Sequence, residues 1–501
     1  MNIKRNLIGL AVLSTLGLAG TANAVYLGQE GTGQVLLKPY YTVRGGYDTV
    51  LTITNSDEVN GKVVKVRVIE GKNSREVLDF NLYLSPADVW TGTLTATTDG
   101  GKLVTTDTSC TVPAIAANQG GAGFAEFRNY YYSGVNADGE ATNLNRAREG
   151  YIEVIQMGDL TSANGNTIPK VSASTDPTLY AAAKHIGGKP LDCPAIVNAW
   201  GSAGVFTTGA PNNWVSAPTG GLFGTGTLIN VAGGTDYTYD DVALEQWIDV
   251  ADHKAPGGIL PNLAEVAPKH SIVFYGTGAV ASNWTTNGYN MDPVSAVLMR
   301  TSVMNDFVTD PGLAAGTDWV VTFPTKNAYV SPDIDSDPDS VDNNYLRPFT
   351  QDFKLGGACE EVGMQVYGRE EEHSSTGVDF SPPPPSGINT ICWETNVLTF
   401  NSSNVLASEL SYNVDTTGVG ANGWMRLGFD NVQTDTARDW DQNLDATRQM
   451  VSDESITYVG LPVIGFGVQK YVNGNMGGVL SNYGGNFVHK YQRSILGNGI
   501  M

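Results

Sequence analysis

Residues 63–70 read VVKVRVIE, and this stretch decides the fold class of the chain. Valine stands at every second position from Val64 to Val68, and the residues between the valines are Lys65 and Arg67. Alternation of apolar and charged residues with a period of two is typical of a strand with one face in a core and the other in water. We therefore expect a sheet that is covered on one side.

Similar runs occur on both sides of this stretch, and turn residues such as Gly, Pro and Asn separate them. In the N-terminal region the strand candidates are residues 35–42, 48–55, 77–84, 88–97, 124–132 and 150–156. Short strands at intervals of roughly 10–15 residues are typical of an antiparallel β-sandwich. The predicted fold is mainly β, with an Ig-like antiparallel β-sandwich architecture, a few short helices and long loops.

The composition divides the chain into four predicted parts. These are a signal peptide at 1–24, an N-terminal β-sandwich domain at 25–160, an irregular middle region at 161–330 and a C-terminal β-rich region with acidic and Pro-rich loops at 331–501. The middle region is either a separate unit or an insertion in the sheet scaffold. Its helix candidates are residues 176–185, 241–250 and 294–307.

The first residues have the three parts of a secretory signal peptide. Lys4 and Arg5 give a positive start, residues 7–18 are apolar, and Ala22-Asn23-Ala24 supplies the small residues that signal peptidase requires. The apolar run is shorter than the roughly 20 residues of a membrane span, and we expect no membrane span later in the chain. We expect cleavage after Ala24 and secretion to the cell surface or medium, with the periplasm as second choice.

The charge balance narrows the choice of partners. The chain carries 29 basic and 51 acidic residues, a formal charge of −22, and 41% of its residues are hydrophobic. The hydrophobic fraction is enough for a packed core. A strongly acidic chain repels nucleic-acid phosphates, so we expect no nucleic-acid partner. The expected partners are other surface proteins, glycans or further copies of the chain.

Four cysteines, an even number in a chain with an export signal, indicate disulfides. Three pairings are open, and the spacing favours Cys110 with Cys193 and Cys359 with Cys392. The paired C-x-x-C spacing of a zinc site is absent from the sequence. We therefore predict two structural disulfides that form in an oxidising compartment.

An acidic run at residues 331–344, SPDIDSDPDSVDNN, is the sharpest candidate for a metal site. Calcium takes six to eight oxygen ligands, and closely spaced carboxylates in a loop supply them. The candidate ligands are Asp333, Asp335, Asp337, Asp339 and Asp342. The run lacks the mid-loop Gly and final Glu of an EF-hand, so a solvated acidic linker without an ion is the alternative. Calcium is the only cofactor that we expect.

Catalytic signatures are scarce. None of the five histidines belongs to an H-E-x-x-H pattern, and the sequence has no G-x-S-x-G elbow and no phosphate-binding loop. Residues 369–373, REEEH, fit a charged surface segment better than a metal site. Glycoside hydrolysis needs only two carboxylates held about 5–10 Å apart, and a sequence with 51 acids does not exclude such a pair. The sequence nevertheless gives no positive sign of an enzyme, and we predict none.

Aromatic residues are the other candidates for binding. The chain has nine Trp and 22 Tyr, including Tyr40-Tyr41 and a run of three tyrosines at 130–132. Exposed aromatic rings on a sheet stack on sugar rings or form protein interfaces, whereas buried rings fill cores. We expect most of them in cores.

Three stretches carry a resemblance to other proteins. LLKPYYTVRGGYDTVLTITN at 36–55, VKVRVIEGKNSREVLDFNLYLSPADVW at 64–90 and CWETNVLTF at 392–400 resemble recurring elements of uncharacterised exported β-rich proteobacterial surface proteins. The resemblance implies secretion and a β-rich surface role, and it assigns no active-site residue. We expect a non-catalytic secreted or cell-surface protein of the surface-layer, matrix or adhesin type. The alternative is a carbohydrate-binding protein or a polysaccharide-active enzyme.

Overall fold

The computed structural model describes residues 23–286, 288–331, 347–372, 389–430, 448–476 and 478–497. Within these residues the chain is mainly β, as predicted, and nearly all of its strand pairs are antiparallel. The predicted signal-peptide residues 1–22 and the four consecutive prolines at 382–385 lie outside the described part of the chain.

Ten strands are described in the first 160 residues, and most of them are rich in the β-branched and aromatic residues that favour strands. They are β1 (Tyr26–Leu27), β2 (Val35–Thr42), β3 (Asp48–Asn55), β4 (Gly61–Glu70), β5 (Glu76–Leu84), β6 (Val89–Ala96), β7 (Gly101–Val104), β8 (Cys110–Val112), β9 (Phe124–Glu126) and β10 (Glu149–Leu160).

The middle of the chain adds shorter strands. They are β11 (His185–Ile186), β12 (Lys189–Pro190), β13 (Leu222–Phe223), β14 (Thr225–Asn230), β15 (Thr235–Asp240), β16 (Val242–Glu245), β17 (His270–Tyr275), β18 (Gly278–Asn283), β19 (Met299–Arg300), β20 (Ser302–Val308) and β21 (Gly316–Thr322).

The C-terminal part completes the set. Its strands are β22 (Glu360–Glu361), β23 (Gly363–Gly368), β24 (Thr390–Ile391), β25 (Thr395–Phe400), β26 (Ser411–Val414), β27 (Asn422–Gly428), β28 (Gln449–Val451), β29 (Thr457–Val459), β30 (Leu461–Pro462), β31 (Ile464–Met476), β32 (Val479–Val488), β33 (Lys490–Gln492) and β34 (Ser494–Leu496).

Five short α-helices are described between the strands. They are α1 (Leu179–Ala183), α2 (Cys193–Ala199), α3 (Val205–Thr208), α4 (Asp292–Leu298) and α5 (Asn327–Val330). The predicted helix at 176–185 is confirmed as α1, which begins after Thr178, whose hydroxyl accepts a hydrogen bond from the amide of Ala181 at 3.2 Å.

Two seven-stranded sheets share the first core. One has the order β1-β16-β2-β10-β4-β5-β8, and the other has the order β15-β14-β3-β6-β7-β9, with β13 also paired to β3. Side chains from both sheets meet in one cluster that includes Val66 of β4, Ile152 of β10 and Trp90 of β6. The middle region contributes β13–β16 to these sheets, so residues distant in the sequence complete them.

Two further sheets share a second core. The four-stranded sheet has the order β23-β27-β20-β33, and the five-stranded sheet has the order β26-β25-β21-β31-β32. Phe307 of β20 and Met425 of β27 meet Trp319 of β21 and Phe400 of β25 in one buried cluster. The rings of Phe307 and Phe400 stack with their centroids 5.1 Å apart. The four-stranded sheet therefore buries one face and leaves its other face partly exposed.

Strand β4 departs from the half-buried pattern that its sequence predicts, because all ten of its residues are buried. Its charged side chains are paired: Arg67 with Glu76 and Glu153, at 2.6 and 2.5 Å. The Lys65 ammonium also donates to the carbonyl of Ala255 at 3.1 Å, which places a distant segment over the second face of the sheet. The residues that alternate with the valines of β4 are thus charged because they form buried ion pairs, and not because that face of the strand is exposed.

Two predicted helices are wrong in whole or in part. Residues 241–250 contain β16 instead of a helix, because Val242–Glu245 pairs with both β1 and β2. The candidate at 294–307 divides into α4 and the strand β20, whose Val303 and Phe307 point into the second core. Tertiary pairing outweighs local propensity in such short apolar segments.

Both disulfides follow the predicted pairing. Cys110 in β8 is bonded to Cys193 at the start of α2, and Cys359 is bonded to Cys392. The first bond attaches a helix to the edge of a sheet. The second closes the base of the segment that carries β23.

Candidate functional site

An open cleft lies on the outer face of the four-stranded sheet. Its floor is built from two rows of side chains that cross three strands. In the first row, Tyr367 of β23 lies opposite Trp424 of β27, and Trp424 lies opposite Asp306 of β20. In the second row, Asn422 lies opposite Val308. The cleft has a volume of about 700 Å³, within the usual range of ligand sites.

The outward direction of these side chains follows from strand alternation. Val366 and Met425 are buried in the second core, so their neighbours Tyr367 and Trp424 point to the opposite face. Gly423 allows the two strands to approach closely here, because a Cβ at this position would lie 2.0 Å from the carbonyl oxygen of Tyr367. Any other residue would push β23 and β27 apart beneath the aromatic pair.

The two aromatic rings form a stacked pair. The ring centroids of Tyr367 and Trp424 are 4.7 Å apart, and the ring planes differ by 14°. This separation equals the usual distance between neighbouring strands, so the rings stand upright and stack in the direction that crosses the strands. The free face of the Trp424 ring is therefore turned toward the strand of Asp306. Trp424 keeps 39% of its surface exposed, so part of the residue is open to a ligand.

A tight turn after β23 forms the charged rim of the cleft. The amide of Gly368 donates to the carbonyl of Glu372 at 2.7 Å, and Glu371 adopts a left-handed backbone with φ of 66°. Such a conformation is uncommon for a residue with a side chain and is frequent at ligand sites. The Arg369 guanidinium pairs with Glu370 at 3.0 Å. The rim thus presents the Glu371 carboxylate beside an arginine whose charge already has a partner.

One polar atom in the floor is left without a partner. Asn422 Oδ1 is buried and accepts no hydrogen bond from any residue that the structure describes. A buried acceptor of this kind is usually satisfied by water or by a ligand. Because this oxygen is enclosed by protein atoms, it is not presented at the surface of the cleft.

The Cys359–Cys392 disulfide holds the base of this site. Strand β22 follows Cys359 and pairs with β24, which precedes Cys392. The buried Lys326 ammonium donates to the carbonyl oxygens of Ala358 and Cys392, at 2.6 and 3.1 Å. These bonds fix the start of the segment that carries Tyr367.

The cleft combines two chemical elements. A flat aromatic face attracts a flat ligand surface made of C–H groups, and carboxylate oxygens accept hydrogen bonds from hydroxyl groups. Pyranose rings offer both kinds of group.

The predicted metal ligands are the five aspartates of the acidic run. Asp333, Asp335, Asp337, Asp339 and Asp342 all lie outside the described residues, so the calcium site stays a prediction. Among the residues that the structure describes, no group of three or more His, Cys, Asp or Glu side chains could hold a metal ion.

Other aromatic candidates fall mainly in cores, as expected. Tyr40, Tyr41 and Tyr132 are buried, whereas Tyr130 is 71% exposed. Tyr367 and Trp424 were missed as a site, because nothing in the sequence shows that they become neighbours. The signal that could have been used is an apolar neighbour in each strand, Val366 before Tyr367 and Met425 after Trp424. When such a neighbour is buried, the ring beside it points away from the core.

Several carboxyl groups are buried away from the cleft. Burial raises the pKa of Glu394 to about 8, against the opposing charge of Lys326. Burial also raises the pKa of Asp292 to about 7, against a hydrogen bond from the Tyr329 hydroxyl at 2.7 Å. Both carboxyls belong to packed interiors and act on stability.

No protein family, curated protein or solved structure matches this chain. The resemblance to exported surface proteins therefore stays a prediction. The two disulfides indicate an oxidising extracellular or periplasmic compartment. In the part of the chain that the structure describes, no helix is long and apolar enough to cross a membrane.

Proposed function

We propose that this protein is an exported, non-catalytic interaction protein of the adhesin type that binds carbohydrate through the cleft. The observation that carries the proposal is the stacked Tyr367–Trp424 pair, which points outward beside Asp306. Burial of such rings is the usual outcome in a β-rich chain, so a stacked pair in a cleft, with Trp424 exposed and Tyr367 half-buried, supports a binding surface. The protein would attach to a glycan on a cell, a matrix or a neighbouring molecule.

A sheet face is well suited to this role. The strands fix each side chain through backbone hydrogen bonds, so the rings are held in place before the ligand arrives and little entropy is lost on binding. The buried contacts of Met425 and Phe307 support the floor from below. An Ig-like arrangement of the two N-terminal sheets would then serve as a scaffold for the part of the chain that carries the cleft.

Contact with other protein molecules is a second candidate function, in the surface-layer or matrix sense. Tyr483, Phe487 and Val488 of β32 are exposed to 58%, 44% and 63%. Exposed aromatic and aliphatic residues on a strand favour protein contacts. Analytical ultracentrifugation over a concentration series, with and without calcium, tests this role: oligomers that Tyr483→Ala and Phe487→Ala abolish would support it.

A glycan screen tests the main proposal. We expect the full mature chain to bind at least one oligosaccharide, and Trp424→Ala to weaken that binding about tenfold or more, since stacking on a ring contributes on the order of 1–2 kcal/mol. Tyr130→Ala is the matched control, because it removes a ring that is 71% exposed and lies outside the cleft, and we expect it to bind as the native protein does. A reducing-sugar assay should show no cleavage of the bound glycan.

Two results would reject this function. One is the absence of binding to every glycan in the screen, and the other is equal binding by the native protein and Trp424→Ala. Circular dichroism of both variants shows whether each is folded, so a loss of structure cannot be mistaken for a loss of binding.

A further inference from the structure

We infer that the cleft selects uncharged pyranose chains and rejects polyanionic glycans such as uronates, an inference that rests on the proposed function. The relevant observation is the sign of the charges around the stacking face. Asp306 lies opposite Trp424 on the neighbouring strand, and Glu371, in the turn after β23, also lines the cleft. A sugar stacked on Trp424 thus lies near two carboxylates.

The positive charge at the rim does not offset these carboxylates. Arg369 is the only basic residue among the described residues that line the cleft, and its guanidinium is 3.0 Å from the carboxylate of Glu370. Arg369 and Glu370 together carry no net charge, so the net charge of the lining comes from Asp306 and Glu371. Repulsion between these carboxylates and an anionic group of a ligand weakens binding in a partly desolvated cleft.

The rest of the molecule strengthens this bias. Lysines and arginines in the sheets are taken up by internal ion pairs: Lys38 with Asp241, Lys62 with Asp159 and Arg146 with Glu70. All six of these side chains are at most 1% exposed. Because the chain also carries a net charge of −22, its accessible surface is strongly negative. The field of the whole protein therefore repels a polyanion before it reaches the cleft.

Asp306 has a positive role toward a neutral sugar. An ionised carboxylate accepts two or more hydrogen bonds, and a hydroxyl group donates one without bringing a charge. The ring of Trp424 fixes the plane of the sugar, and Asp306 beside it fixes the rotation of the sugar in that plane.

Binding titrations with matched glycans test the inference. The probes are cello-, N-acetylchito- and galacto-oligosaccharides as neutral chains, oligogalacturonate as the anionic chain and oligochitosan as the cationic chain. We expect binding to at least one neutral chain, a loss of about tenfold in Asp306→Asn, as for a hydrogen bond to a charged group, and less than about a twofold change between low and high salt. We expect no binding of oligogalacturonate.

A charge-neutral variant separates repulsion from a simple lack of fit. Asp306→Asn combined with Glu371→Gln removes both carboxylates from the cleft and keeps the aromatic pair. We expect this variant to bind oligogalacturonate measurably better than the native protein at low salt. No improvement would overturn the inference, because charge would then not be what excludes the anionic chain.

The outcomes distinguish the inference from the function on which it rests. Oligogalacturonate that binds more tightly than every neutral chain, and is lost in Trp424→Ala, overturns the inference and leaves carbohydrate binding in place. Tighter binding of oligochitosan supports the role of charge, because the same carboxylates attract a cationic chain. Absence of binding to all five probes overturns both. Neutral binding that requires Trp424 and Asp306 supports both.

Discussion

Asn486 of β32 donates a hydrogen bond from Nδ2 to the carbonyl oxygen of Thr238 in β15, at 2.6 Å. Asn482, four residues earlier on the same strand, donates in the same way to the carbonyl of Gly233 at 2.7 Å. Between them, Gly484 lets the strands approach, because a Cβ there would lie 2.5 Å from the carbonyl of Asp236. Edge strands of two different sheets are thus joined through side chains.

Removal of the side-chain amide of Asn486 or Asn482 should weaken the contact between β32 and the segment that carries β15. We expect Asn486→Ala to lower the free energy of unfolding by about 1–2 kcal/mol, because a carbonyl of β15 loses its donor. Asn482→Ala should act similarly. Asn198→Ala, at an exposed position in α2, is the control and should change stability by less than about 0.5 kcal/mol. Urea unfolding measures all three, and an Asn486→Ala variant as stable as the control would contradict this assignment.

The Lys38–Asp241 pair joins the two N-terminal sheets. The ammonium lies 2.7 Å from the carboxylate, and both side chains are at most 1% exposed. We expect Lys38→Met to cost about 3–5 kcal/mol, because it leaves a buried charge without its partner, and Lys38→Met with Asp241→Leu to recover most of that loss. Chemical denaturation measures both.

The exposed Arg369–Glu370 pair is the control for this effect. Its side chains are 75% and 69% exposed, so Arg369→Met should cost less than about 1 kcal/mol. Equal losses at the buried and the exposed pair would show that Lys38 is not buried against Asp241.

The buried Glu394 should make stability fall as pH rises. Its pKa is about 8 in the folded chain and near the ordinary value when unfolded, so the folded state retains a proton that the unfolded chain has released. This contribution is complete below about pH 4.5 and is lost as pH rises through about 8. Glu394→Gln cannot lose a proton, so the native protein should lose on the order of 4 kcal/mol relative to it between pH 5 and 8.5. Unfolding titrations at those pH values test this, and a constant difference would refute it.

The disulfide beneath the cleft should matter for binding. Breaking Cys359–Cys392 with a Cys359→Ser and Cys392→Ser double change frees the base of the segment with Tyr367, so we expect weaker glycan binding. Removal of Cys110–Cys193 should cost about 4 kcal/mol of stability, because the loop is long, and leave glycan affinity unchanged in the folded fraction. Calorimetric titration of both variants measures the effect, and equal affinities would contradict the positioning role.

Local periodicity predicts much of the fold. The alternation at 48–55 and 63–70 correctly gives β3 and β4, because a strand with a fixed core face must alternate. It cannot show that a segment near Ala255 covers the second face of β4, since that contact joins distant parts of the chain. For the same reason Val242–Glu245 looks helical in sequence and becomes β16 only through its pairing partners.

The candidate site was less predictable than the fold. Tyr367 and Trp424 become neighbours through the register of β23 on β27, which depends on pairing between distant residues. The two disulfides could be predicted because cysteine spacing restricts the choice to a few pairings. The acidic run at 331–344 remains a calcium prediction that binding experiments must settle.

The most direct measurement is a calorimetric titration of the best neutral oligosaccharide into the native protein, Trp424→Phe and Trp424→Ala. If the upright ring beside Asp306 is the sugar platform, Trp424→Phe retains most of the affinity and Trp424→Ala loses about tenfold or more. Equal affinity in all three proteins would contradict the account, because the sugar would then bind elsewhere.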